Sequence, residues 1–214
     1  MWAIVKDSKL VQITPGNKSI TVGEVVHPKD VFRHWTKTQL KDIGVYEFIH
    51  GSSPDTRFET PTTSSYKVDD SAGTVTETIN KKDKAIADTL YTSQNKTDGV
   101  IPEGKDVGDV ASKGLKTIFT EQIQKQAASL LSTTDWMVVR KAEDSSKSIP
   151  NAVSTFRASV RTEADKIIQA LSDCDTLDKL KALFVTEYNE DGSVKTLATM
   201  ESLPTDEDIE SYKR

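Results

Sequence analysis

The stretch 150–171, PNAVSTFRASVRTEADKIIQAL, decides the helical part of the fold. Its apolar residues recur at steps of three and four, which places them on one face of a helix. They are Val153, Phe156, Val160, Ala164, Ile167 and Leu171. Because the pattern covers fewer than three heptads, it predicts packing against another helix more than an independent coiled coil. Pro150 is suited to the start of this helix.

A second apolar stripe precedes this helix in the sequence. Its members recur with helical spacing and oppose polar residues such as Glu121 and Lys125. They are Leu115, Ile118, Phe119, Ile123, Ala127, Leu130 and Leu131. We predict a helix here, a break at Asp135 and Trp136, and then a charged loop over 141–147.

A shorter third helix and a hairpin are expected near the end of the chain. Asp175 or Thr176 can cap the helix. Its apolar residues are Leu177, Leu180, Leu183 and Phe184. The run 189–192, NEDG, is typical of a turn between two short strands. The acidic tail from Glu201 is expected to lie on the surface.

The first fifty residues alternate apolar and polar side chains as short strands do. Trp2 and Ile4 begin the alternation, and the run VYEFI at 45–49 continues it. Between them, Thr38 can cap a short helix and Gly44 can end it. We therefore expect a β-rich module with one short helix.

Residues 51–108 are dominated by Ser, Thr, Asp, Lys and Gly, a composition typical of a linker. One hairpin is predicted within them, with strands at 65–68 and 74–79 and a turn at 70–73. A polar segment of this length is seldom ordered by itself, so a neighbouring chain is the natural candidate for holding it in place.

These patterns predict an α+β fold in three parts. The first is a small N-terminal β-rich module over 1–50, and the second is an extended polar segment with a hairpin over 51–108. The third, over 109–214, is a helical region of two to three helices with a short terminal hairpin. A hydrophobic content of 36% and a mean hydropathy of −0.48 argue against one large core as the organising feature.

The net charge, the hydrophobicity and the single cysteine limit the kinds of partner and site that the sequence predicts. The formal net charge of −5 offers no general basic surface for phosphates, so nucleic acid is a poor partner. No segment is apolar and long enough to suggest a membrane span. Cys174, the single cysteine, is flanked by Asp173 and Asp175, which disfavour a thiolate, and we expect a small buried apolar group there.

The residues that could carry chemistry do not form a recognisable site. His27, His34 and His50 lack the spacing of a zinc site, and Ser52-Ser53 lacks the context of a nucleophile elbow. The acidic pairs Asp69-Asp70 and Glu190-Asp191 lack calcium-loop spacing and are interpreted as turn residues. We therefore predict no catalytic residue, no cofactor and no metal, and a protein that is not an enzyme.

Five residues are candidates for a partner interface: Trp136, Arg140, Phe156, Arg157 and Arg161. Arg157 and Arg161 lie one helical turn apart beside the apolar seam. They could belong to a solvated face with partners such as Glu143 or Asp165, or they could bind carboxylates of a second chain. Trp136 is either a core residue beneath the helix junction or an exposed anchor for a partner.

Two stretches resemble phage tail proteins. Residues 125–165 resemble the short domain of phage tail assembly chaperones, in which a helix ends in Leu-Leu-x-x-x-Asp-Trp and the next helix carries aromatic-Arg and apolar-Arg. The matching residues are LLSTTDW at 130–136, IP at 149–150, Phe156-Arg157 and Val160-Arg161. Phe156 stands where that family usually has Tyr, and the charged loop is longer than usual.

Residues 1–50 look like the opening module of tail and tail-fibre-associated phage proteins. The likeness is carried by HPKDVF at 27–32, Trp35, Leu40 and IGVYE at 43–47. Such families work through binding surfaces, so the resemblance implies no catalytic residue. It implies other phage tail proteins as partners, from fibre, baseplate or tail tube, and it is compatible with a homo-oligomer.

These features lead to three hypotheses about function. The first is a structural component of the virion tail, synthesised in the host cytoplasm and bound at a baseplate or fibre. The second is an assembly chaperone that departs or is retained only as a fibre cap. The third is a hydrolase acting on host surface polymer, which is disfavoured because the sequence has neither a recognisable carboxylate pair nor a triad.

Overall fold

The alternating residues at the N-terminus form the first strands of a five-stranded sheet in the computed structural model, which describes residues 1–213. The chain divides into two units, Met1–Asp83 and Lys84–Arg214. The elements of the first unit are β1 (Trp2–Lys6), β2 (Lys9–Thr14), β3 (Ile20–Val22), β4 (Val25–His27), α1 (Val31–His34), α2 (Lys37–Asp42), β5 (Val45–Ile49), β6 (Glu59–Asp69) and β7 (Thr74–Asp83). The strand order of the sheet is β2-β1-β5-β7-β6, and only the pairing of β5 with β7 is parallel.

The alternation along β1 separates two apolar clusters. Ala3 and Val5 pack in one cluster with the buried residues Tyr46, Phe48 and Val75. The side chain of Ile4, which points to the opposite face of the sheet, belongs to the other cluster. That second cluster also contains Ile20, Val31, Leu40 and Val45. The helices α1 and α2 therefore contribute to the core on one face.

The cap of α2 lies two residues earlier than predicted. Thr36, and not Thr38, accepts a hydrogen bond from the backbone N–H of Gln39, whose side chain accepts one from the backbone of Thr36 in return. Gly44 ends the turn after the helix with φ +80°, as predicted. A Cβ at this position would lie 2.7 Å from the carbonyl oxygen of Val5, so the close approach to β1 requires glycine.

The predicted hairpin of the polar segment is confirmed, and it belongs to the sheet of the first unit. Its strands are longer than expected, and its turn is held by the rest of the unit. Asp70 accepts hydrogen bonds from the hydroxyls of Ser8 and Tyr46, and the ammonium of Lys41 donates to the carbonyl of Ser71 at 2.7 Å. Asp69 and Asp70 are turn residues, as interpreted from the sequence. Residues 59–83 are therefore ordered by contacts within their own unit.

The second unit consists of helices with short two-stranded pairings. Its elements are β8 (Thr89–Leu90), α3 (Ser93–Thr97), β9 (Val110–Ser112), α4 (Leu115–Ser132), α5 (Asp135–Glu143), α6 (Asn151–Asp173), α7 (Leu177–Ala182), β10 (Glu187–Tyr188) and β11 (Val194–Thr196). Two 3-10 helices come after them, Thr199–Glu201 and Glu207–Tyr212. With the sheet of the first unit, these helices make the chain an α+β protein, as predicted.

The long helices α4 and α6 pack against each other through the predicted stripes. All six apolar residues of the α6 pattern are buried, and α6 begins directly after Pro150. On α4 the buried residues are Leu115, Phe119, Ile123 and Ala127. Ile118 was assigned to the stripe but is 43% exposed, because the i+4 row that begins at Leu115 leaves it to one side.

The segment before α4 satisfies the free N–H groups at the start of that helix. Asp88 accepts a hydrogen bond from the backbone N–H of Gly114 at 2.7 Å, and the carbonyls of Ala85 and Ile86 accept from the next two N–H groups. A Cβ on Gly114 would lie 2.3 Å from the carbonyl carbon of Ala87. The helix start therefore fits only because residue 114 has no side chain.

Five further predictions for the second unit can be compared with the structure. The expected break at Asp135-Trp136 was wrong by two residues, because the chain turns at 133–134 and Asp135 begins α5. As a result, the loop that was predicted to start at residue 141 starts after Glu143. Thr176 caps α7 as one of the two candidates, and the hairpin turn at 189–192 is confirmed. The tail is not wholly on the surface, because Ile209 is fully buried.

Candidate protein-protein interface

The junction between α4, α5 and α6 is held by the guanidinium of Arg157. One of its nitrogens donates to the carbonyl of Leu131 at 2.6 Å and to the hydroxyl of Thr134 at 2.9 Å. The other donates to the carboxylate of Asp135 at 2.8 Å. Leu131 lies in the last turn of α4, where carbonyls have no partner within the helix. One side chain therefore closes the end of α4 and fixes the start of α5.

Arg157 lies inside the second unit and is only 7% exposed. The expectation that it lies on a solvated face or binds a second chain is therefore wrong. Its carboxylate partner is Asp135, not Glu143 or Asp165. The stem of Arg157 runs beside the apolar seam, and its planar head reaches the end of the neighbouring helix, where five N–H donors can satisfy several acceptors at once.

Arg161 differs from Arg157 although it lies one turn further along the same helix. It is exposed, and its guanidinium donates to the carbonyl of Arg157 at 3.3 Å within α6. Phe156 is 7% exposed and belongs to the core. Of the two arginines in the motif, Arg157 and Arg161, only Arg161 thus exposes its charge to solvent.

Trp136 is half-buried, so it lies between the core position and the exposed position that the sequence left open. Its indole N–H donates to the carbonyl of Tyr212 at 3.3 Å, which joins α5 to the C-terminal 3-10 helix. The guanidinium of Arg140 lies over its ring at 5.3 Å from the centroid, as in a cation–π contact. Arg140 itself is exposed, so the outer face of the tryptophan carries a positive charge.

The exposed face of α5 was missed by the sequence reasoning. Val138 and Val139 are 38% and 55% exposed and adjoin Arg140 in the helix. The two adjacent valines were the available signal, because they directly follow Met137 and three consecutive residues span about 200° of the helix, more than one packed face covers. We define Val138, Val139 and Arg140 as the α5 surface. Apolar side chains beside arginine are typical of the centre of a protein interface.

The sequence reasoning also missed Thr134, although its hydrogen bonds connect the residues at the helix junction. Its side chain is fully buried and accepts from Arg157, while its hydroxyl donates to the carbonyl of Leu131 at 3.3 Å. The signal in the sequence was its place between an apolar helix and Asp135. A small hydroxyl residue at that point can accept the guanidinium and still fit beneath the turn.

Two titratable groups near the helix ends have shifted pKa values. The hydroxyl and backbone N–H of Ser146 donate to Asp144, which lowers the pKa of that carboxyl and orders the loop after α5. Burial raises the pKa of the Cys174 thiol, whose S–H donates to the carbonyl of Ala170 at 3.3 Å. Cys174 is therefore the buried apolar group expected from the sequence.

Neither a metal-binding cluster nor a membrane-spanning helix is found within residues 1–213. No group of three or more His, Cys, Asp or Glu side chains in this part of the chain is placed to hold a metal ion. None of the helices there combines the length and apolar character needed to cross a bilayer.

Comparisons with protein-family models, with curated proteins and with solved structures give no match to this chain. The likeness to phage tail proteins therefore stays a prediction from the motif residues within 130–161 and within 27–47.

Proposed function

We propose that this chain is a structural component of a bacteriophage tail, associated with the baseplate or a fibre, and that it acts through protein–protein interfaces. Its partners in this proposal are other tail proteins, and its place is the virion tail after synthesis in the host cytoplasm.

One observation carries the proposal: the motif residues that lie far apart in the sequence contact each other. Arg157 of the second motif half binds the carbonyl of Leu131 and the carboxylate of Asp135 in the first half. Such contacts make the two halves a single structural element and explain why these residue types occur together. The element fixes helices relative to one another, which suits a protein that works by binding.

The α5 surface also supports the proposal, because it is exposed on a helix that belongs to this element. The Arg157 contacts hold the start of α5, and Trp136 ties the helix to the C-terminal 3-10 helix. Val138, Val139 and Arg140 are thereby presented on a fixed helix. A rigid surface loses less conformational entropy on association, so it is suited to permanent assembly.

A second candidate is a tail or tail-fibre assembly chaperone that is released, or retained only as a fibre cap. The observation that favours it is the resemblance of residues 125–165, which is to tail assembly chaperones. The two candidates differ in whether the chain remains in finished particles in stoichiometric amounts.

Genetic complementation tests the proposal. A phage that encodes this chain is deleted for its gene and supplied with the chain from a plasmid, and tailed particles and infectious titre are counted. We expect the deletion to abolish complete tails. A deletion that leaves tails and titre unchanged would contradict the proposal.

Variants of the α5 surface refine this test. Val138→Asp with Val139→Asp should lower the yield of complete tails by at least tenfold, because two charges would have to be desolvated at the interface. Ser145→Asp adds the same kind of charge in the exposed loop after α5 and should support assembly. Circular dichroism of each purified chain shows that the helices are retained. Full assembly with the double variant would exclude the α5 surface as a docking site.

A further inference from the structure

A groove of about 380 Å³ in the first unit lies between two strands that do not pair with each other. Its lining residues come from the end of β2 and from β3, and they include Ile13, Lys18 and Thr21. β2 is an edge of the five-stranded sheet, and β3 pairs only with β4. Each of the two strands therefore has one edge whose backbone groups lack a strand partner.

The hydrogen bonds of β1 show which backbone groups of β2 are free. The N–H of Phe48 donates to the carbonyl of Met1 at 3.0 Å, and the N–H of Val5 donates to the carbonyl of Gly44 at 2.8 Å. Both bonds follow the register between β1 and β5. Alternate residues of an antiparallel strand point their backbone groups to opposite sides. The odd-numbered residues of β1 therefore bond towards β5, and the even-numbered residues bond towards β2.

The backbone of Ile13 consequently points to the free edge of β2. Trp2 is paired with Thr14 and Ile4 with Gln12, so Thr14 and Gln12 point their backbone groups towards β1. Ile13 lies between them and points its N–H and C=O the other way. These two groups face the side on which no described strand pairs with β2.

Thr21 has the same position on β3. Val22 and Val25 flank a two-residue loop, so they form the hydrogen-bonded pair that closes this hairpin. Thr21 and Val26 are the next pair, and their backbone groups point outward from the hairpin. No described residue outside the strand ladders hydrogen-bonds to the backbone of Ile13 or Thr21.

The groove thus presents an N–H and a C=O from each of two strand edges. An extended polypeptide carries donors and acceptors along both of its own edges, so one segment can bond to Ile13 on one side and to Thr21 on the other. Its main-chain bonds would join the β3–β4 hairpin to the five-stranded sheet.

The charge of the groove selects the kind of segment that fits. Residues 8–23 contain Lys9 and Lys18 and no acidic residue, in a chain whose formal net charge is −5. Lys18 lines the groove, is exposed and forms no ion pair among the described residues. Two copies meeting groove to groove would bring like charges together, whereas an acidic segment supplies the opposite charge.

We propose that this groove binds an extended, acidic segment of another protein as an additional β-strand between β2 and β3. The main-chain bonds hold the segment, and an acidic side chain opposite Lys18 distinguishes it from other extended segments. The site lies in the first unit, apart from the α5 surface, and its test does not depend on the proposed tail function.

NMR titration of the full chain with a synthetic peptide measures this binding. The probe is the peptide TVEVT, blocked at both ends. We expect the amide signals of Ile13 and Thr21 to shift, and their hydrogen exchange to slow at least tenfold, at about 2 mM peptide. The same peptide with both valines N-methylated loses donors along one edge and should bind at least tenfold more weakly. TVQVT should bind about threefold more weakly, as expected for the loss of one exposed ion pair.

A pair of proline variants tests the edge of β3. Thr21→Pro removes the outward N–H and should weaken binding of TVEVT at least tenfold. Val26→Pro is the matched control, because Val26 is paired with Thr21 and points to the opposite outer edge of the same hairpin. It should leave the Kd unchanged. The amide spectrum outside residues 20–27 shows that each variant keeps its fold.

Three results would each overturn the proposal: unchanged amide signals of Ile13 and Thr21 at about 2 mM TVEVT, equal binding of the N-methylated peptide, or equal binding by Thr21→Pro. Shifts of the same two amides when the chain alone is concentrated would assign the groove to a second copy, which also contradicts an acidic partner segment.

Discussion

Replacing Arg157 with alanine is expected to destabilise the second unit by about 3 kcal/mol. The change removes three hydrogen bonds, to the carbonyl of Leu131, the hydroxyl of Thr134 and the carboxylate of Asp135. The side chain of Asp135 is 56% exposed and regains water, so its contribution is small. Thr134 is fully buried and loses the charged donor that satisfies its hydroxyl oxygen, which accounts for much of the cost.

Urea unfolding followed by circular dichroism at 222 nm is suited to this measurement, because the long helices α4 and α6 both lie in the second unit. A loss of 3 kcal/mol corresponds to a decrease in Tm of roughly 10 °C for a chain of this size. Arg157→Lys should lower the stability by about half as much as Arg157→Ala. Lysine keeps a positive charge, but its single ammonium cannot reach three acceptors in the same plane.

Arg161→Ala is the matched control, since it removes the same side chain one turn away. Arg161 is exposed and contacts only the carbonyl of Arg157 among the partners described, so its loss should change stability by less than about 0.5 kcal/mol. If Arg157→Ala and Arg161→Ala unfold at the same urea concentration, the assignment of Arg157 as the residue that holds the helix junction is refuted.

The remaining predictions concern the start of α4 and the C-terminal 3-10 helix. Gly114→Ala should destabilise the second unit by about 2 kcal/mol, because the new Cβ would meet the backbone of Ala87, and urea unfolding measures the loss. Asp88 accepts from Gly114 and from Thr117, which lowers the pKa of its carboxyl. Its stabilisation is therefore present above the ordinary pKa of aspartate and is lost as the pH falls through the lowered value. Asp88→Asn should accordingly lower Tm at pH 7 and have little effect near pH 2, and an equal effect at both pH values would refute the assignment. Ile209→Ala should cost about 3 kcal/mol because its side chain is fully buried, and a cost below about 1 kcal/mol would place the tail on the surface after all.

The parts of the fold that the sequence predicts are those with local periodicity. The spacing from Val153 to Leu171 specifies one helix face, and every member of it is buried. The alternation of Trp2 and Ile4 along β1 likewise places these two side chains on one face of the sheet, and both pack in the same apolar cluster. In both cases the signal lies within one element, so no knowledge of the neighbouring elements is needed.

The extent of the first unit could not be predicted in this way. Strands β6 and β7 are rich in Thr, Ser and Lys, and only Val75 among the residues of β7 is buried. Their place in the sheet depends on the parallel pairing of β5 with β7, a contact between residues more than twenty positions apart. Composition alone therefore assigns these strands to a linker.

The role of Arg157 was hidden for a related reason. An arginine beside an apolar seam has the same local pattern whether it faces water or reaches the end of a neighbouring helix. The deciding facts are that α4 ends at Ser132 and that Thr134 is buried beneath the guanidinium. Both depend on where the next helix lies. The α5 surface, in contrast, could have been found from the adjacent valines at 138 and 139.

Quantitative mass spectrometry of purified particles tests most directly whether this chain is a permanent part of a tail. The particles come from a phage that encodes the chain, and the copy number is referred to a major tail protein of the same particles. We expect several copies per particle, at a constant ratio through successive gradient purifications. Abundant chain in the infected cell lysate together with none in the purified particles would contradict a structural role and favour the released chaperone.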